Sequence, residues 1–281
     1  MLVDAHHHIW DPRARRHAWL DEQPPLNRRF DLDDYAAACA GQDVTASVLV
    51  QVLASTAETE EFLLAAAQAG VVAGVVGWAD LTSPQISDEL ARLRELPGGE
   101  RLVGIRHLAQ AEPDGWLARP EVRRGIRAVG AAGLCYDLLV RPWQLTEVLA
   151  LTAELDDMPF VLDHAAKPDI EHGQFEPWSA RIAELARRPG LTCKVSGLVT
   201  EAGAAWTTGQ LAPYVAHLIA CFTPERLMFG SDWPVCTAVA SYDDVVGAVR
   251  TLSAGLSPAE QRDVLHDTAV RTYRLPARSQ D

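Results

Sequence analysis

One pattern recurs along the whole chain: a short β-branched run that stops at polar residues, usually followed by an alanine- and leucine-rich helical stretch. This alternation is typical of βα units. Eight such runs predict a closed parallel α/β structure, a (β/α)8 or TIM barrel, and the 281 residues suit one domain of this kind, 1–281. The predicted strands are 2–5, 47–52, 71–78, 102–106, 133–138, 160–163, 191–195 and 226–230.

Helical stretches follow most of the strands, and prolines at 84 and 142 provide start signals. An open doubly wound sheet is the alternative, but no glycine-rich phosphate loop follows the first strand. The segment 10–30 lacks helical periodicity, so we expect a loop over the barrel mouth. A last helix pair, 258–264 and 267–273, is expected to pack outside the barrel. The other predicted helices are 58–69, 86–96, 121–132, 143–155, 178–188, 211–221 and 242–252.

Composition and charge restrict the partners of the chain. Hydrophobic residues make up 48% and charged residues 22%, which is typical of a folded protein that does not span a membrane. The net charge of -13 argues against a nucleic-acid or anionic-membrane surface, because both need clustered lysines and arginines. A small molecule is therefore the predicted partner. The amino terminus does not resemble a secretory signal and the five cysteines lack a CxxC pair, so we expect a cytoplasmic protein with reduced thiols.

Polar residues stand at the end of every predicted strand. In a barrel of this kind the carboxyl ends of the strands face one shared pocket, so these side chains should converge. They are His6, His8, Gln51, Trp78, Asp80, Arg106, His107, Tyr136, Asp137, Asp163, His164, Lys194, Ser196, Ser231 and Asp232.

Two histidines at the end of the first strand have the spacing of metal ligands. Residues two apart on a strand point to the same face, so His6 and His8 can both project into the pocket while His7 points away. With His164 and Asp232 they predict a site for one divalent ion, zinc in particular. A terminal histidine run can also be a tag remnant, and a single buried histidine is more often a hydrogen-bonded core residue. The joint placement at strand ends favours the ligand interpretation.

Asp232, in the motif FGSDWP, is the predicted general base. It follows a buried strand, where a carboxylate is costly unless it pairs with a cation or a metal. A helix cap is the alternative role, but Trp233 and Pro234 delay the next helix beyond capping distance. We expect Asp232 to take a proton from water and return it to the leaving group, with His164 as a second catalytic residue. Without a metal, the imidazoles would polarise the carbonyl as hydrogen-bond donors.

Six residues near the strand ends are predicted to bind substrate. The basic ones can hold hydroxyls or a carboxylate, and arginine offers a bidentate fork that lysine does not. Trp78 can stack on a sugar ring, although tryptophans more often fill core space. Lys167 precedes a proline, and a solvated position is its alternative. The six residues are Gln51, Trp78, Arg106, His107, Lys167 and Lys194.

Seven motifs together resemble the lactonase branch of the amidohydrolase superfamily: DAHHHIW, GWADL, GIRH, DLLV, LDHAAKP, CKVSGLVTEA and FGSDWPVC. The resemblance spans nearly the whole chain, and the HxH, LDH and GSDWP motifs are specific in combination. It implies a core site of His6, His8, His164 and Asp232. It also implies a hydrolase of carbohydrate metabolism that opens sugar lactones, as L-fuconolactonases and L-rhamnonolactonases do.

The chain departs from many amidohydrolases at one position. Tyr136 and Asp137 stand where those enzymes place a histidine or a carboxylated lysine, which predicts one metal ion rather than two. The resemblance also leaves metal-free catalysis as an alternative, since some members of the branch work without a tightly bound ion. Two other functions compete with lactone hydrolysis: a metal-dependent nonhydrolytic decarboxylase of the same superfamily, and a noncatalytic barrel that binds a sugar acid.

Overall fold

The computed structural model describes residues 1–276 and contains the predicted barrel. Eight parallel strands follow one another around the sheet in chain order, with helices between them, so the (β/α)8 prediction is confirmed. The strands are β1 Leu2–His7, β2 Val44–Val50, β3 Val72–Gly77, β4 Leu102–His107, β5 Cys135–Leu138, β6 Phe160–Leu162, β7 Leu191–Val195 and β8 Leu227–Phe229.

The ring closes between β1 and the segment that follows β8. The backbone N–H of His8 donates to the carbonyl oxygen of Trp233 at 2.7 Å, and the N–H of Asp232 donates to the carbonyl oxygen of His6 at 2.8 Å. These two bonds bring the end of the last strand beside the histidines of the first. Residues more than 220 positions apart in sequence therefore meet at one point of the rim.

Two helices were not predicted from the sequence: the four-residue α7, which follows β7, and the longer α1, between β1 and β2. Its first turn is capped by Asp31, whose side chain accepts from the backbone N–H groups of Asp33 and Asp34. Only Tyr35 and Cys39 are buried in its eight residues, so its apolar periodicity is weak. The helices are α1 Leu32–Cys39, α2 Thr56–Gln68, α3 Ile86–Glu95, α4 Pro120–Ala131, α5 Leu145–Glu154, α6 Trp178–Leu185, α7 Leu198–Glu201, α8 Thr208–Phe222, α9 Tyr242–Leu252, α10 Pro258–Arg262 and α11 Thr268–Tyr273.

The segment between β1 and α1 lies over the barrel mouth, as the sequence analysis predicts. Trp10 and Phe30 pair with each other through two backbone hydrogen bonds of 3.0 and 2.9 Å, which draws the ends of the segment together. Between them are two short 3₁₀ turns, Ala18–Glu22 and Pro24–Leu26. Trp10 and Trp19 line the cavity beneath this segment.

The opposite end of the barrel is closed by the last helix. We expected this part of the chain to pack outside the barrel, but Tyr273 of α11 reaches the interior, where its hydroxyl donates to Asp137 Oδ2 at 2.6 Å. Leu275 packs in the same interior cluster, among small and β-branched side chains of the strands such as Val3 and Ala5. Sequence periodicity alone predicts a surface position for Tyr273, but its polar contact with Asp137 places it inside the barrel. Among residues 1–276, no helix combines the length and hydrophobicity needed to cross a membrane.

Candidate active site

A cavity of about 260 Å³ opens at the carboxyl ends of the strands, beneath the mouth segment. Its polar wall includes the predicted metal and catalytic residues that follow β1, β6 and β8. Its apolar wall combines tryptophans of the mouth segment with aliphatic residues. The lining residues include His8, Trp10, Trp19, Val52, Arg106, Leu108, Leu139, His164, Lys167, Asp232 and Val235.

Three of the four predicted core residues surround a carboxylate oxygen of the fourth. Oδ1 of Asp232 lies 3.4 Å from Nε2 of His8, 3.8 Å from Nε2 of His6 and 3.9 Å from Nε2 of His164. The two β1 imidazoles approach each other to 3.1 Å between their Nε2 atoms. His7 points the other way and stacks on Tyr35 at a centroid distance of 3.9 Å. The alternation predicted for β1 is therefore present.

Hydrogen bonds at the far side of each ring orient two of the imidazoles. Nδ1 of His8 lies 2.7 Å from the carbonyl oxygen of Val50, which can only accept, so Nδ1 carries a proton and Nε2 is directed toward Asp232. Nδ1 of His164 lies 2.9 Å from the hydroxyl of Ser196. Neither Val50 nor Ser196 was assigned a role from sequence, because such partners depend on how neighbouring strands pair.

The backbone at His164 and Asp232 adopts the left-handed conformation that non-glycine residues rarely take. Four successive residues from His164 to Lys167 have φ between 50° and 59°, and Asp232 has φ 57°. Gly197 packs directly against the His164 ring, and a Cβ at this position would lie 2.7 Å from Nδ1. Close packing of this kind fixes the position of the imidazole.

Burial and neighbouring groups set the charges of the site. Burial lowers the pKa of His164 to about 4. Burial and the nearby Lys194 ammonium hold the pKa of His6 well below its usual value. For Asp232, burial alone would raise the pKa, but His164, His8 and His6 outweigh it and bring that pKa below its usual value. At neutral pH an ionised carboxylate therefore stands beside the neutral imidazoles of His6 and His164.

A buried charge network lies beneath His6. The Lys194 ammonium is 2.7 Å from Asp137 Oδ2, 2.9 Å from Asp163 Oδ1 and 3.1 Å from His6 Nδ1. Arg106 binds the other oxygen of Asp163 at 3.0 Å. Two carboxylates and two cations thus neutralise one another in the barrel interior.

The six predicted substrate-binding residues fall into two groups. Arg106 and Lys167 line the cavity, although most Arg106 donors are directed to Gln51 and Asp163. Trp78 and His107 are joined by a 3.0 Å hydrogen bond from the indole Nε1 to Nδ1. Neither these two residues nor Gln51 and Lys194 are among the cavity-lining residues named above.

Three further contributors had no role predicted from the sequence. Asp163 was noted only as a polar strand-end residue, and Trp10 and Trp19 only as part of the mouth segment. The LDH motif contains the signal for Asp163, since a carboxylate at the end of a buried strand needs a cation, but its partners come from β4 and β7. The tryptophans carry no local signal that separates lining from packing.

Comparison with known proteins places this geometry in a family. The amidohydrolase family model matches residues 3–275. The chain belongs to the amidohydrolase family.

Characterised relatives of this amidohydrolase include lactonases. An L-fucono-1,5-lactonase of Burkholderia multivorans is 38% identical over 98% of this chain and 97% of its own length. A second L-fucono-1,5-lactonase, from Burkholderia ambifaria, is 33% identical over 99% and 97%. A solved amidohydrolase structure from Burkholderia multivorans with bound zinc superimposes with a TM-score of 0.93 at 36% identity, covering 98% of this chain and 100% of that one.

The donor set of the amidohydrolase site fits a divalent ion. Ligand atoms of His6, His8 and Asp232 lie within 4.8 Å of one another, as do those of His6, Asp163 and His164. Tetrahedral zinc places nitrogen and oxygen ligands about 3.3 Å apart. The separations of 3.1, 3.4 and 3.8 Å in the first group are close to that spacing. Histidine binds a metal in its neutral form, through the ring nitrogen that carries no proton.

Proposed function

We propose that this amidohydrolase hydrolyses a monocyclic sugar lactone, an aldonolactone, with Asp232 as general base and acid. The observation that carries the proposal is the single ionised carboxylate of Asp232, surrounded by three imidazoles at the floor of the cavity. The lactonase names of the Burkholderia relatives support lactone opening as the reaction.

Asp232 and the imidazoles can carry out the proton transfers of ring opening. The Asp232 carboxylate accepts a proton from water as the water oxygen attacks the lactone carbonyl carbon. His164 stands beside the developing oxyanion and, in a metal-free reaction, stabilises it as a hydrogen-bond donor. When the tetrahedral intermediate collapses, the bond to the ring oxygen breaks and Asp232 returns its proton to that oxygen. The products are the open hydroxy acid and no gas.

His6, His8, His164 and Asp232 are the residues that would hold a divalent ion, for which we propose zinc at one ion per chain. When bound, the ion supplies Lewis-acid polarisation of the carbonyl. The deeper group that includes Asp163 is the weaker candidate, because Lys194 and Arg106 already neutralise that carboxylate.

The cavity favours a neutral substrate. Arg106 gives most of its donors to Gln51 and Asp163, and Lys167 lies 3.7 Å from the Glu201 carboxylate. Little cationic capacity therefore remains for a substrate carboxylate, and we assign Lys167 to substrate hydroxyls. The volume of about 260 Å³ suits one six-carbon lactone, whose apolar edge would lie against Trp10 and Trp19.

A panel of aldonolactones with a pH indicator tests the proposal. We expect proton release with at least one neutral lactone and no carbon dioxide. Asp232→Asn should lower kcat by about 10²- to 10⁴-fold, because the amide cannot accept the proton from water. The matched control Asp88→Asn changes an exposed carboxylate on α3 and should leave kcat unchanged.

Turnover of Asp232→Asn at the original rate would rule out the proposed base. Carbon dioxide release without ring opening would replace lactonase by decarboxylase, and ligand binding without turnover would point to a binding protein. Metal analysis of the purified protein, with and without a chelator, measures the ion count.

A further inference from the structure

Asp4 is a completely buried carboxylate outside the cavity. It lies on the outer side of β1, where it contacts Tyr35 of α1 and Tyr242 of α9. The mechanism proposed above does not use it, and it does not line the cavity. A buried charge in this position needs an explanation, because burial of an unsatisfied carboxylate is costly.

Five donors satisfy the Asp4 carboxylate, and none of them is a cation. Oδ1 accepts from the backbone N–H of Ser231 at 2.8 Å and of His6 at 3.2 Å. Oδ2 accepts from the Ser231 hydroxyl at 2.7 Å and from the hydroxyls of Tyr35 and Tyr242 at 3.0 and 3.1 Å. Hydrogen bonds alone therefore compensate the charge.

Two of these bonds join the two chain segments that form the active site, and a third lies within β1. The strand pairing of β1 is irregular between Asp4 and His7, and there the His6 N–H turns to the Asp4 side chain. The Ser231 backbone and hydroxyl come from the residue that precedes Asp232. One carboxylate thus links the β1 histidines to the segment that carries the Asp232 base.

Ser231 extends this link to the strained backbone of the base. Its hydroxyl oxygen also accepts from the N–H of Trp233 at 3.0 Å. Residues on both sides of Asp232, which has φ 57°, are thereby held to Asp4 directly or through one atom. The left-handed conformation of Asp232 persists only where its surroundings fix it.

We propose that Asp4 is a positioning residue: it sets the separation of the His6 and His8 imidazoles from the Asp232 carboxylate by fastening β1 to the segment after β8. The inference rests on the proposed function for its kinetic consequence. An aspartate is required because all five partners donate, whereas the amide of asparagine turns a donor toward some of them.

Three variants test the proposal. Asp4→Asn and Ser231→Ala both weaken the link between β1 and the base, and each should lower kcat by about 10- to 100-fold with little change in KM. Tyr242→Phe removes a donor from α9 and leaves the link intact. It should lower the melting temperature by about 2–4 °C while kcat stays near that of the parent protein.

A readout that needs no substrate separates this proposal from the lactonase proposal. In ¹H–¹⁵N NMR spectra of the metal-free protein, the ring signals of His6 and His8 should shift in Ser231→Ala and stay in place in Tyr242→Phe. If no lactone is hydrolysed but the ring signals behave in this way, the reaction assignment fails and the positioning role stands.

A merely structural role makes a different prediction. All three variants would then lose activity in proportion to their loss of stability, and the ring signals would respond alike. That pattern, or an unchanged kcat in a folded Ser231→Ala protein, would overturn the proposal. Ser231→Ala decides the matter even if Asp4→Asn fails to fold, since it removes only a hydroxyl.

Discussion

Asp4 and Asp163 are both completely buried on opposite sides of the barrel wall, yet the protein stabilises them in opposite ways. For Asp163, burial would raise the pKa, but Lys194, His6 and Arg106 outweigh it and hold that pKa well below its usual value. Asp4 receives hydrogen bonds only from neutral groups, and burial raises its pKa. Charged neighbours thus stabilise the aspartate inside the barrel wall, whereas hydrogen bonds from neutral groups stabilise the aspartate outside it.

The difference matches what each side of the wall contributes to the site. Inside, the cations around Asp163 lie beside His6 and help to keep its imidazole neutral. Outside, the neutral donors around Asp4 hold two chain segments together without adding a counter-ion beside the base. The groups inside the wall thus control the electrostatic potential at the site, and the groups outside it control the positions of the two chain segments.

The largest expected effect comes from removing an inner cation. Lys194→Met leaves Asp137 and Asp163 without their shared ammonium, and we expect the free energy of unfolding to fall by about 3–5 kcal/mol. On the outer side, Tyr242→Phe removes one neutral donor and should cost about 1 kcal/mol. Denaturant titration measures both values. Equal losses would show that the two sides do not differ.

A titration of His164 sharpens the comparison at the cavity. Its pKa is lowered to about 4 by burial, so the metal-free protein should keep this ring neutral down to about pH 5. An NMR titration of the ring should give a midpoint near pH 4. A midpoint near 6.5 would mean that the buried environment does not act as described.

The smallest expected effect is a difference in acid stability. Asp163 has a lowered pKa, so its stabilisation is present above its unfolded value near 3.8 and is lost as pH falls further. Asp4 has a raised pKa, so its contribution is greatest below 3.8 and is lost as pH rises toward the folded value. Asp163→Asn should therefore flatten the stability curve below about pH 4, and Asp4→Asn should alter it only above that pH.

Unfolding free energies measured at several pH values check these two windows. Apart from any loss that is the same at every pH, the pH-dependent change in unfolding free energy of each variant should differ from that of the parent protein by about 1 kcal/mol, each in its own window. Coincident changes in both variants would contradict the opposite pKa shifts.

Much of the fold was predictable because its signals are local. Each strand is a short apolar run and most helices show periodicity, so the number and order of these elements predict the barrel. Helix α1 escaped because Tyr35 and Cys39 are its only buried residues. The inward position of Tyr273 escaped because its partner, Asp137, is 136 residues away in sequence.

The candidate site was predictable to the same extent as the fold. The spacing of His6 and His8 and the strand-end positions of His164 and Asp232 were enough to bring these four side chains together. The hydrogen-bond partners of these side chains could not be predicted, because a backbone carbonyl oxygen such as that of Val50 is not indicated by the residue type. Which polar strand-end residues face the cavity and which lie beneath it depends on the register of neighbouring strands, which periodicity does not specify.

The contact of Gly197 with the His164 ring has a consequence for judging such chains by their motifs. Any larger residue at this position would push the imidazole away while the HxH, LDH and GSDWP signatures stayed intact. A search for these three motifs alone would therefore not detect a substitution that disables the site. Catalysis in a chain of this kind therefore also requires that position 197 have no Cβ atom.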